Sequence, residues 1–477
     1  MINKDILKMN TKEFLNNLKT FFEKYLGENS SEKASLLEYL PEDKWLEIKN
    51  QGLLTPFLPE EYGGRVPNQT ELQEVLRLAG HYGVPITLRT GIEGALVIQP
   101  LTKHAKKELI EKILPLVFKG EGGGLAITEP DSSGSAIAKE MLSYYEVLEN
   151  GNIYVNAKKY WQGNSQSDFL IVAAKEKNGK KMGKSINLLF VPREYITFTP
   201  IKSEGLKAVR YAVNEIDAEI PAENLILLSE LPRKSLREFQ NIFIRSRLQL
   251  IGMTHGIIEN IHMNVAKYLR SKIEFIRHEL AEIDSRQAVS KVLYDFVCNT
   301  ISPTKSVSDK LLEANIVKAV GSEYAYESAK IAQKLMGAKG FELGHPISTI
   351  ALDIRPFTIF EGPNDMLFAE IFDQFSKVTK TEKLNGIIVD KAFTIYERFL
   401  SDSRFMFNQG KENLVSISEN VYNFINQCKL NEINPVNKVF AGKILSKLFV
   451  LGRVTGDDQT VKFLVREMNK DILDFNY

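Results

Sequence analysis

The sequence contains little cysteine and almost no net charge. Among 477 residues only Cys298 and Cys428 are cysteines, and they stand far apart in apolar helical context without a Cys-x-x-Cys pair. This pattern argues against a disulfide scaffold and a thiolate metal site, favours a reducing compartment, and predicts that both residues lie in the core. Lysine and arginine number 61 against 60 acidic residues, a net charge of +1, which gives no global electrostatic basis for binding nucleic acid or an anionic membrane.

Long hydrophobic runs are also missing. No stretch approaches the roughly 18 uninterrupted apolar residues of a membrane span, and the start "MINKDILKMNTKEF" lacks the continuous apolar region of a secretory signal. A soluble, cytoplasmic protein is therefore expected. The six histidines form neither an HExxH motif nor a pair with ligand spacing, so the sequence predicts no metal site.

The length and composition favour a folded protein of several domains. Hydrophobic residues make up 44% and charged residues 25%, and a chain of this length exceeds what one core usually supports. Residues 1–121 place apolar residues at three- and four-residue spacing, which predicts an α-helical domain. Residues 122–232 carry short β-branched and aromatic runs between turns, which predict an antiparallel β domain with "LENGNIYVN" as the clearest hairpin. Helical periodicity returns in 233–377 and continues in 378–477, a helical extension whose apolar stripes we interpret as core packing.

A turn rich in hydroxyl and small residues follows the predicted strand "GGGLAITEP". The donors of Thr128, Ser132, Ser133 and Ser135 suit a flavin ring or a pyrophosphate, whose oxygens accept hydrogen bonds, although most such turns are only turns. Trp161 ends a later strand beside a small polar loop. Its indole stacks either on a planar cofactor or against the core of the β domain.

Glu361 stands between an apolar run and the break Gly362-Pro363. Pro363 suits the first turn of a helix with Gly362 as its N-cap, so one interpretation is a plain helix start. The other interpretation is a catalytic base. Burial would raise the pKa of this carboxyl, and the positive end of the helix would oppose the rise, which would leave part of the population ionised in a dry pocket.

Seven segments occur in the order and at the spacing of the landmarks of a known family. They are "LLTPFLPEEYGG" (53–64), "GLAITEP" (124–130), "GNIYVNAKKYW" (151–161), "EGLKAVRYAVNEIDAEIPAENLI" (204–226), "RSRLQLIGMTHG" (245–256), "MGAKGF" (336–341) and "DIRPFTIFEGPND" (353–365). Together they resemble the acyl-CoA dehydrogenase family over about residues 15–375.

The resemblance implies a fold, a cofactor and a reaction. The fold is α+β and multidomain, with an N-terminal α-helical domain, a middle β domain and a C-terminal bundle of four helices, here followed by the helical extension. FAD lies between the domains, usually in a homodimer or a tetramer built of dimers. The reaction, part of fatty acid metabolism, is α,β-dehydrogenation of an acyl thioester. A carboxylate removes the α-proton, the β-hydrogen leaves as hydride to flavin N5, and an electron-transfer flavoprotein or similar acceptor takes the electrons.

The resemblance also implies roles for particular residues. By position, Glu361 resembles the family's base and Arg247 the arginine that lies behind it. The implied cofactor-binding residues are Leu125, Ile127, Thr128, Ser133 and Ser135 in the turn, Trp161, Gln162 and Gly163 at the flavin ring, Lys334, Gly337 and Ala338 near the adenine, and Pro363 and Asp365 after the base. The turn has one residue more than the family pattern, so both serines stay candidates.

Several landmarks depart from the family pattern. Gln162-Gly163 stand where the family has Ile-Thr, whose threonine contacts the flavin near N5, and Pro363 replaces a threonine. The Arg-x-x-Phe-Gly motif that contacts the neighbouring subunit's flavin is not recognisable, with Arg277 the nearest candidate. Ile244 replaces an acidic residue that contacts CoA in many members. These departures indicate a divergent member whose thioester carrier need not be free CoA.

Two other functions stay open. A flavin-dependent oxidase or monooxygenase would keep the fold and the flavin. The altered contacts near N5 favour it, whereas Glu361 counts against it, because relatives that activate oxygen tend to lack the glutamate. A non-catalytic relative without flavin is the other alternative.

Overall fold

The N-terminal part of the chain is built of helices joined by short turns. The computed structural model describes residues 4–27, 40–130, 137–268, 273–379, 434–454 and 457–475, so the predictions for Ser132, Ser133, Ser135 and Cys428 lie outside the described residues. The helices are α1 Lys4–Lys8, α2 Thr11–Leu26, α3 Glu42–Lys49, α4 Gln69–Tyr82, α5 Val84–Gly91, α6 Gln99–His104 and α7 Lys107–Lys119, with a π-helical stretch, Ile92–Ile98, between α5 and α6.

Local sequence signals explain where α2 begins and which face it buries. The Asn10 side chain accepts a hydrogen bond from the Glu13 backbone N–H at 3.0 Å, and the Glu13 side chain accepts one from the Asn10 N–H at 3.1 Å. This reciprocal pair satisfies two N–H groups that the first helical turn leaves free. The buried face consists of apolar residues at helical spacing, Phe14, Leu18, Phe22 and Leu26. They pack with α3 and α4 into a hydrophobic cluster of this domain.

The middle domain contains a sheet of mixed direction. Its strands are β1 Gly123–Ala126, β2 Tyr144–Val147, β3 Ile153–Tyr160, β4 Phe169–Asn178, β5 Lys181–Pro192, β6 Thr197–Pro200, β7 Ala212–Ile220 and β8 Leu225–Ile226, with a short helix, α8 Ile137–Glu140, before β2. The strand order is β6-β7-β3-β2-β4-β5-β8, and β1 pairs with β4.

The predicted strand directions are mostly, not entirely, right. The predicted hairpin is confirmed, because β2 and β3 pair antiparallel and Gly151 makes the turn at a φ of +86°. The expectation of a purely antiparallel sheet is wrong for two pairs, since β1 and β2 each run parallel to β4. Both are joined to β4 by long connections rather than hairpins, and such connections permit parallel pairing.

The C-terminal part returns to helices. They are α9 Pro232–Tyr268, α10 Glu274–Thr300, α11 Leu311–Met336, α12 Pro346–Ile354 and α13 Asn364–Thr379, with 3-10 turns at Gly337–Phe341 and Arg355–Thr358. Helix α9 packs against α4, α10 and α11. At the crossing of α4 and α9, Gly256 faces the backbone of Arg77 and Gly80 faces that of Met253, where a Cβ would overlap backbone atoms. Small residues therefore bring these two helices close together.

The described helices of the extension pack onto this bundle. They are α14 Pro435–Leu451 and α15 Asp458–Phe475, which contact α13 and α10 respectively. The ring centroids of Phe449 and Phe296 lie 5.2 Å apart, and those of Phe463 and Tyr324 lie 5.8 Å apart. The interpretation of their apolar stripes as core packing is therefore confirmed for these two helices. Helix α13 runs through Thr379, so the boundary predicted after residue 377 falls inside a helix.

The predicted order of a helical, a β and a second helical part, and with it the α+β class, is confirmed.

Cys298 is half-buried and packs against the core. Burial raises the pKa of its thiol to about 11, which keeps it unreactive at neutral pH. In the part of the chain that the structure describes, none of the helices has the length and apolarity needed to span a bilayer. The cytoplasmic location stays a prediction.

Candidate active site

Glu361 lies in a left-handed turn just before α13. Its φ is +56° and that of Gly362 is +104°, and a non-glycine residue keeps such a φ only where its surroundings hold it. The carbonyl of Pro363 accepts a hydrogen bond from the Leu367 N–H at 3.1 Å, so Pro363 is the N-cap and the helix begins at Asn364. The prediction of Gly362 as N-cap with Pro363 in the first turn is therefore wrong by one residue, although Glu361 does precede a helix N-terminus.

The two oxygens of the Glu361 carboxylate have different surroundings. Oε1 accepts a hydrogen bond from Oγ of Ser246, on α9, at 2.5 Å. Oε2 is enclosed and has no hydrogen-bond partner, while other parts of the residue keep some surface accessible. Buried acceptors without a partner are uncommon in proteins. This oxygen is therefore available to take a proton from a bound molecule.

Two cationic side chains hold the backbone of this turn. Arg247 Nε donates to the Glu361 carbonyl at 2.9 Å, and its Nη1 donates to Asn315 Oδ1 at 2.6 Å. Lys318 Nζ donates to the Gly362 carbonyl at 2.8 Å. The structure thus brings Arg247 and Glu361 together, and Arg247 bonds the backbone carbonyl of Glu361.

Sequence reasoning misses three residues of this arrangement: Ser246, Asn315 and Lys318. On α11, Asn315, Lys318 and Ser322 stand at helical spacing and are buried in an otherwise apolar face. A buried polar stripe is a usable signal, because such side chains need hydrogen-bond partners. For Ser246 the sequence offers no signal except that it precedes Arg247.

Burial controls the ionisation of these groups. It raises the pKa of Glu361, and the rise is opposed by the Ser246 hydrogen bond and by the charges of Arg247 and Lys318. Burial also lowers the pKa of Lys318 to about 7, against the influence of the Glu361 charge. The carboxyl is therefore a stronger base than an exposed glutamate, and its neighbours favour its ionised form.

The segment predicted to form the cofactor turn lies at the end of β1. Leu125 and Ile127 are buried, and the Thr128 carbonyl accepts a hydrogen bond from the backbone N–H of Tyr160 at 3.0 Å. Next along the chain, Glu129 forms a buried ion pair with Lys159 Nζ at 2.8 Å. The carboxylate of Glu129 also accepts hydrogen bonds from two backbone N–H groups at the start of β2. This pair therefore ties the end of β1 to β2 and β3.

Trp161 and Gln162 follow β3 and differ sharply in exposure. Trp161 has a φ of +60° and is 48% exposed, which is unusual for a tryptophan. Its ring centroid lies 5.5 Å from that of Tyr211. Gln162 is only 7% exposed, and neither atom of its amide has a hydrogen-bond partner. An exposed indole beside an unpaired amide suits a planar ligand with polar edges.

Gly163 explains one departure from the family pattern. A Cβ at this position would overlap Cδ1 of Ile92 and lie 2.9 Å from Cγ1 of Val209. A threonine fits there only if the ends of the Ile92 and Val209 side chains move. Any hydrogen bond offered at this point must come from the backbone or from Gln162.

The loop 205–211 joins the indole side of the site to the carboxylate side. Its Val209 carbonyl accepts a hydrogen bond from the Asn164 N–H at 2.8 Å. Its Leu206 N–H donates to Oδ1 of Asp353 at 2.6 Å. Asp353 lies on α12, which leads through a single 3-10 turn to the left-handed turn. The loop is therefore hydrogen-bonded to the segment that follows Trp161 and to the helix that leads to Glu361.

The predicted adenine-binding residues are not brought together with the carboxylate. Lys334, Gly337 and Ala338 are exposed at the C-terminal end of α11, and Gly337 lies about 28 Å along that helix from Lys318, at 1.5 Å per residue. Lys334 pairs with Glu279 of α10 at 2.5 Å.

Two further predicted residues lie at helix starts. Asp365 is exposed in the first turn of α13, and Arg277 lies in the first turn of α10. Within the described ranges, no group of three or more His, Cys, Asp or Glu side chains could hold a metal ion.

Two family models match the sequence. The model described as acyl-CoA dehydrogenase, N-terminal domain, matches residues 9–121. The model described as acyl-CoA dehydrogenase, C-terminal domain, matches residues 236–375. Together they cover more than half of the chain and lie on either side of the β domain.

Curated relatives carry the same family name. The mitochondrial very long-chain specific acyl-CoA dehydrogenase of Rattus norvegicus is 25% identical over 375 residues, which cover 75% of this chain and 56% of the relative. An acyl-CoA dehydrogenase of Bacillus subtilis is 22% identical over 357 residues, 70% of this chain and 90% of the relative. The chain thus spans little more than half the length of the longer relative.

Solved structures share the fold. An acyl-CoA dehydrogenase from Bacillus anthracis, complexed with FAD, has a TM-score of 0.76 at 21% identity and covers 100% of this chain and 90% of that one. The prolyl acyl carrier protein oxidase AnaB has a TM-score of 0.67 at 19% identity and covers 76% of this chain and 98% of that one. At such identities these structures show the fold alone. Because family models match both helical domains, the chain belongs to the acyl-CoA dehydrogenase family.

Proposed function

We propose that this protein catalyses FAD-dependent α,β-dehydrogenation of an acyl thioester, with Glu361 as the base that removes the α-proton. The observation that carries the proposal is the Glu361 carboxylate, which has one oxygen bonded to Ser246 and the other enclosed and free. The α-proton of a thioester is weakly acidic, so the reaction needs a positioned base of raised pKa. Family membership supplies the reaction class.

The residues after β3 fit FAD. The exposed indole of Trp161 offers a stacking surface, and the buried amide of Gln162 has a donor and an acceptor without partners, which the polar edge of a flavin would satisfy. When bound, FAD supplies the acceptor for the hydride from the β-carbon. The relative from Bacillus anthracis that contains FAD supports the same cofactor here. Leu125, Ile127 and Thr128 lie in the adjoining segment and are proposed to contact it.

Glu361 and the two α9 residues that contact it are proposed to have separate roles in the proton transfer. Ser246 occupies Oε1, which leaves Oε2 to receive the α-proton. Arg247 fixes the Glu361 carbonyl and, with its charge, favours the ionised base. The carboxylate is ionised before the step and carries the proton after it.

The substitution Glu361→Gln tests the role of the base. The amide has nearly the same shape but cannot accept the α-proton. We expect the purified variant to keep its FAD absorbance, while the rate at which an acyl-CoA bleaches the flavin without oxygen falls about 10³-fold. A panel of acyl-CoAs of increasing chain length should be used, because the substrate chain length is unknown.

The matched control is Glu327→Gln, which removes an exposed ion pair with Lys330 on α11. It should bleach at the rate of the unchanged protein. Bleaching by Glu361→Gln at that same rate would place the base elsewhere. Absence of FAD from the unchanged protein would favour a non-catalytic relative.

A second candidate is an oxidase on the same fold. Two observations favour it: Gly163 has no hydroxyl to offer near the flavin, and the solved prolyl acyl carrier protein oxidase shares the fold. The discriminating measurement is the reoxidation of the reduced flavin in air. Reoxidation within seconds supports the oxidase, whereas reoxidation that needs an added electron acceptor supports the dehydrogenase.

The proposal also covers the carrier of the acyl group, the protein that accepts the electrons and the assembly of the chain. We propose an acyl-CoA or acyl-carrier thioester as substrate and an electron-transfer flavoprotein or similar protein as acceptor. Lys334, Gly337 and Ala338 lie far from Glu361 within one chain, so their proposed contact with adenine is compatible with a homo-oligomer in which FAD bridges two copies.

A further inference from the structure

We propose that Lys318 is a positioning residue, which holds the left-handed turn and so places the Glu361 carboxylate. This inference rests on the proposed role of Glu361 as the base. Lys318 does not touch the carboxylate with its hydrogen bonds. Its side chain instead donates to the backbone carbonyl of Gly362, the residue after Glu361.

The ammonium of Lys318 has two neutral partners. Nζ donates to the Gly362 carbonyl at 2.8 Å and to Oδ1 of Asn364 at 2.8 Å. Asn364 is held in turn, because its Nδ2 donates to the Ala319 carbonyl at 3.2 Å and its Oδ1 also accepts from Ser322 Oγ at 3.2 Å. The lysine is 1% exposed. Burying an amine this completely is costly unless its N–H groups are hydrogen-bonded, and both hydrogen bonds of Lys318 go to the segment that follows Glu361.

These hydrogen bonds matter because of the shape of the turn. Glu361 and Gly362 have consecutive positive φ values, and their two carbonyls are held by different cations on different helices. Arg247, on α9, holds the Glu361 carbonyl at 2.9 Å, and Lys318, on α11, holds the Gly362 carbonyl at 2.8 Å. A glutamate relaxes out of a left-handed conformation unless both ends are held. Loss of Lys318 frees one end and lets the carboxylate move away from Ser246.

The charge of Lys318 has a second effect. It opposes the rise in the pKa of Glu361 that burial causes. The charged groups that act on Lys318 are Glu361 from the turn, Arg247 from α9 and Glu323 from α11 itself. A neutral residue at position 318 should therefore shift the pKa of the base further upward.

The test compares Lys318→Met, whose unbranched side chain is one atom shorter and has no charge, with Lys318→Arg, which keeps a positive charge. We expect Lys318→Met to keep FAD. Its flavin should bleach about 10²-fold more slowly at neutral pH, since small displacements of a catalytic group have effects of that size. The pH at which the rate is half-maximal should be higher than in the unchanged protein. Lys318→Arg, which stays charged at every pH of the assay, should not raise the pH at half-maximal rate. The control is Lys447→Met, which removes a buried lysine that pairs with Asp471 in the extension. It should lower the melting temperature without moving the pH profile.

A second measurement is independent of hydride transfer. An acyl-CoA with sulfur in place of the β-carbon has no hydride to give, yet its α-protons can still be exchanged by the base. Exchange of α-deuterium for solvent hydrogen should slow in Lys318→Met by the same factor as bleaching. If Lys318→Met is not recovered folded, Lys318→Gln, a neutral donor, takes its place.

The failures of the two proposals differ. Unchanged bleaching in Glu361→Gln would overturn the proposed base and with it the role of Lys318. Normal bleaching, exchange and pH profile in the neutral Lys318 variants, together with an inactive Glu361→Gln, would overturn only the role of Lys318. A loss of rate with an unmoved pH profile and normal exchange would also overturn it, because it would indicate a structural effect elsewhere.

Discussion

Gly163 occupies a point where the β domain meets the N-terminal helices. A side chain here would overlap Ile92 of the π-helical stretch and crowd Val209. Packing, and not backbone conformation, favours glycine at this position, since its φ is not in the left-handed region.

Gly163→Ala should therefore be destabilising. Overpacking of this kind costs about 1–3 kcal/mol, and the displaced segment includes Trp161 and Gln162. We expect a lower melting temperature and less FAD per chain after purification, measured by thermal unfolding and by absorbance. In the background Ile92→Val, which removes Cδ1, the same change should cost clearly less. An equal cost in both backgrounds would show that Ile92 is not the obstacle.

Some residues of the candidate site could be predicted from the sequence and others could not. Glu361 and Arg247 stand in contiguous motifs and could be located by them. Lys318 could not, because its partners Gly362 and Asn364 follow by 44 and 46 positions, and no local pattern encodes that contact. A lysine on a helix usually points to solvent, and only the packing of α11 buries this one.

At the scale of elements, the 205–211 loop depends on a buried carboxyl at the end of α12. Asp353 Oδ1 accepts the hydrogen bond from Leu206, which has a positive φ. Burial raises the pKa of Asp353 to about 7. The folded protein therefore binds the proton more tightly than the unfolded chain, whose aspartates titrate near 3.9.

This shift predicts a pH-dependent stability. The contribution of Asp353 is fully present below about pH 4 and is lost as the pH rises to about 7, roughly 4 kcal/mol in all at about 1.36 kcal/mol per pH unit. Asp353→Asn still accepts a hydrogen bond but cannot ionise. We expect the melting temperature of Asp353→Asn, measured relative to that of the unchanged protein at the same pH, to increase between pH 5 and pH 8. A difference that is constant with pH would contradict the shift, and Asp295→Asn, at an exposed ion pair, is the control.

Helices and strands could be predicted from the sequence where the signals that specify them lie close together in the chain. Apolar periodicity predicted the helical part in which α2 lies, and the Asn-Gly turn predicted the hairpin of β2 and β3. The parallel pairing of β1 and β2 with β4 was not predictable, because it joins strands that are distant in sequence. The start of α13 was misplaced by one residue, since the left-handed turn before it is held by contacts from α9 and α11.

At the scale of the whole molecule, the described part of the extension packs directly on the bundle formed by α9, α10, α11 and α13. Helix α14 packs on α13, the helix that follows Glu361. At their contact Gly442 approaches the backbone carbonyl of Phe368 so closely that a Cβ would overlap it. The Bacillus anthracis structure covers all of this chain, so the described helices of the extension belong to a fold that the two proteins share.

Gly442→Ala should separate α14 from α13. Because the obstructing atom is backbone, relief needs a shift of a whole helix, and we expect a loss of about 1–3 kcal/mol and a melting temperature lower by a few degrees. Val436→Ala, at an exposed position of the same helix, should leave it unchanged. A melting temperature unaffected by Gly442→Ala would mean that the two helices do not pack as closely as described.

The sequence by itself determined the order of the helical and β parts, the hairpin of β2 and β3, and the segments that carry Glu361, Arg247 and Trp161. These follow from short-range signals: side-chain periodicity, caps, turns and contiguous motifs. The tertiary structure decided which oxygen of Glu361 is free, that Gln162 is buried without a partner while Trp161 is exposed, and that Lys318 reaches the turn. Each of these depends on burial and on contacts between residues far apart in the chain, and both arise only when α9, α11 and the β domain pack together.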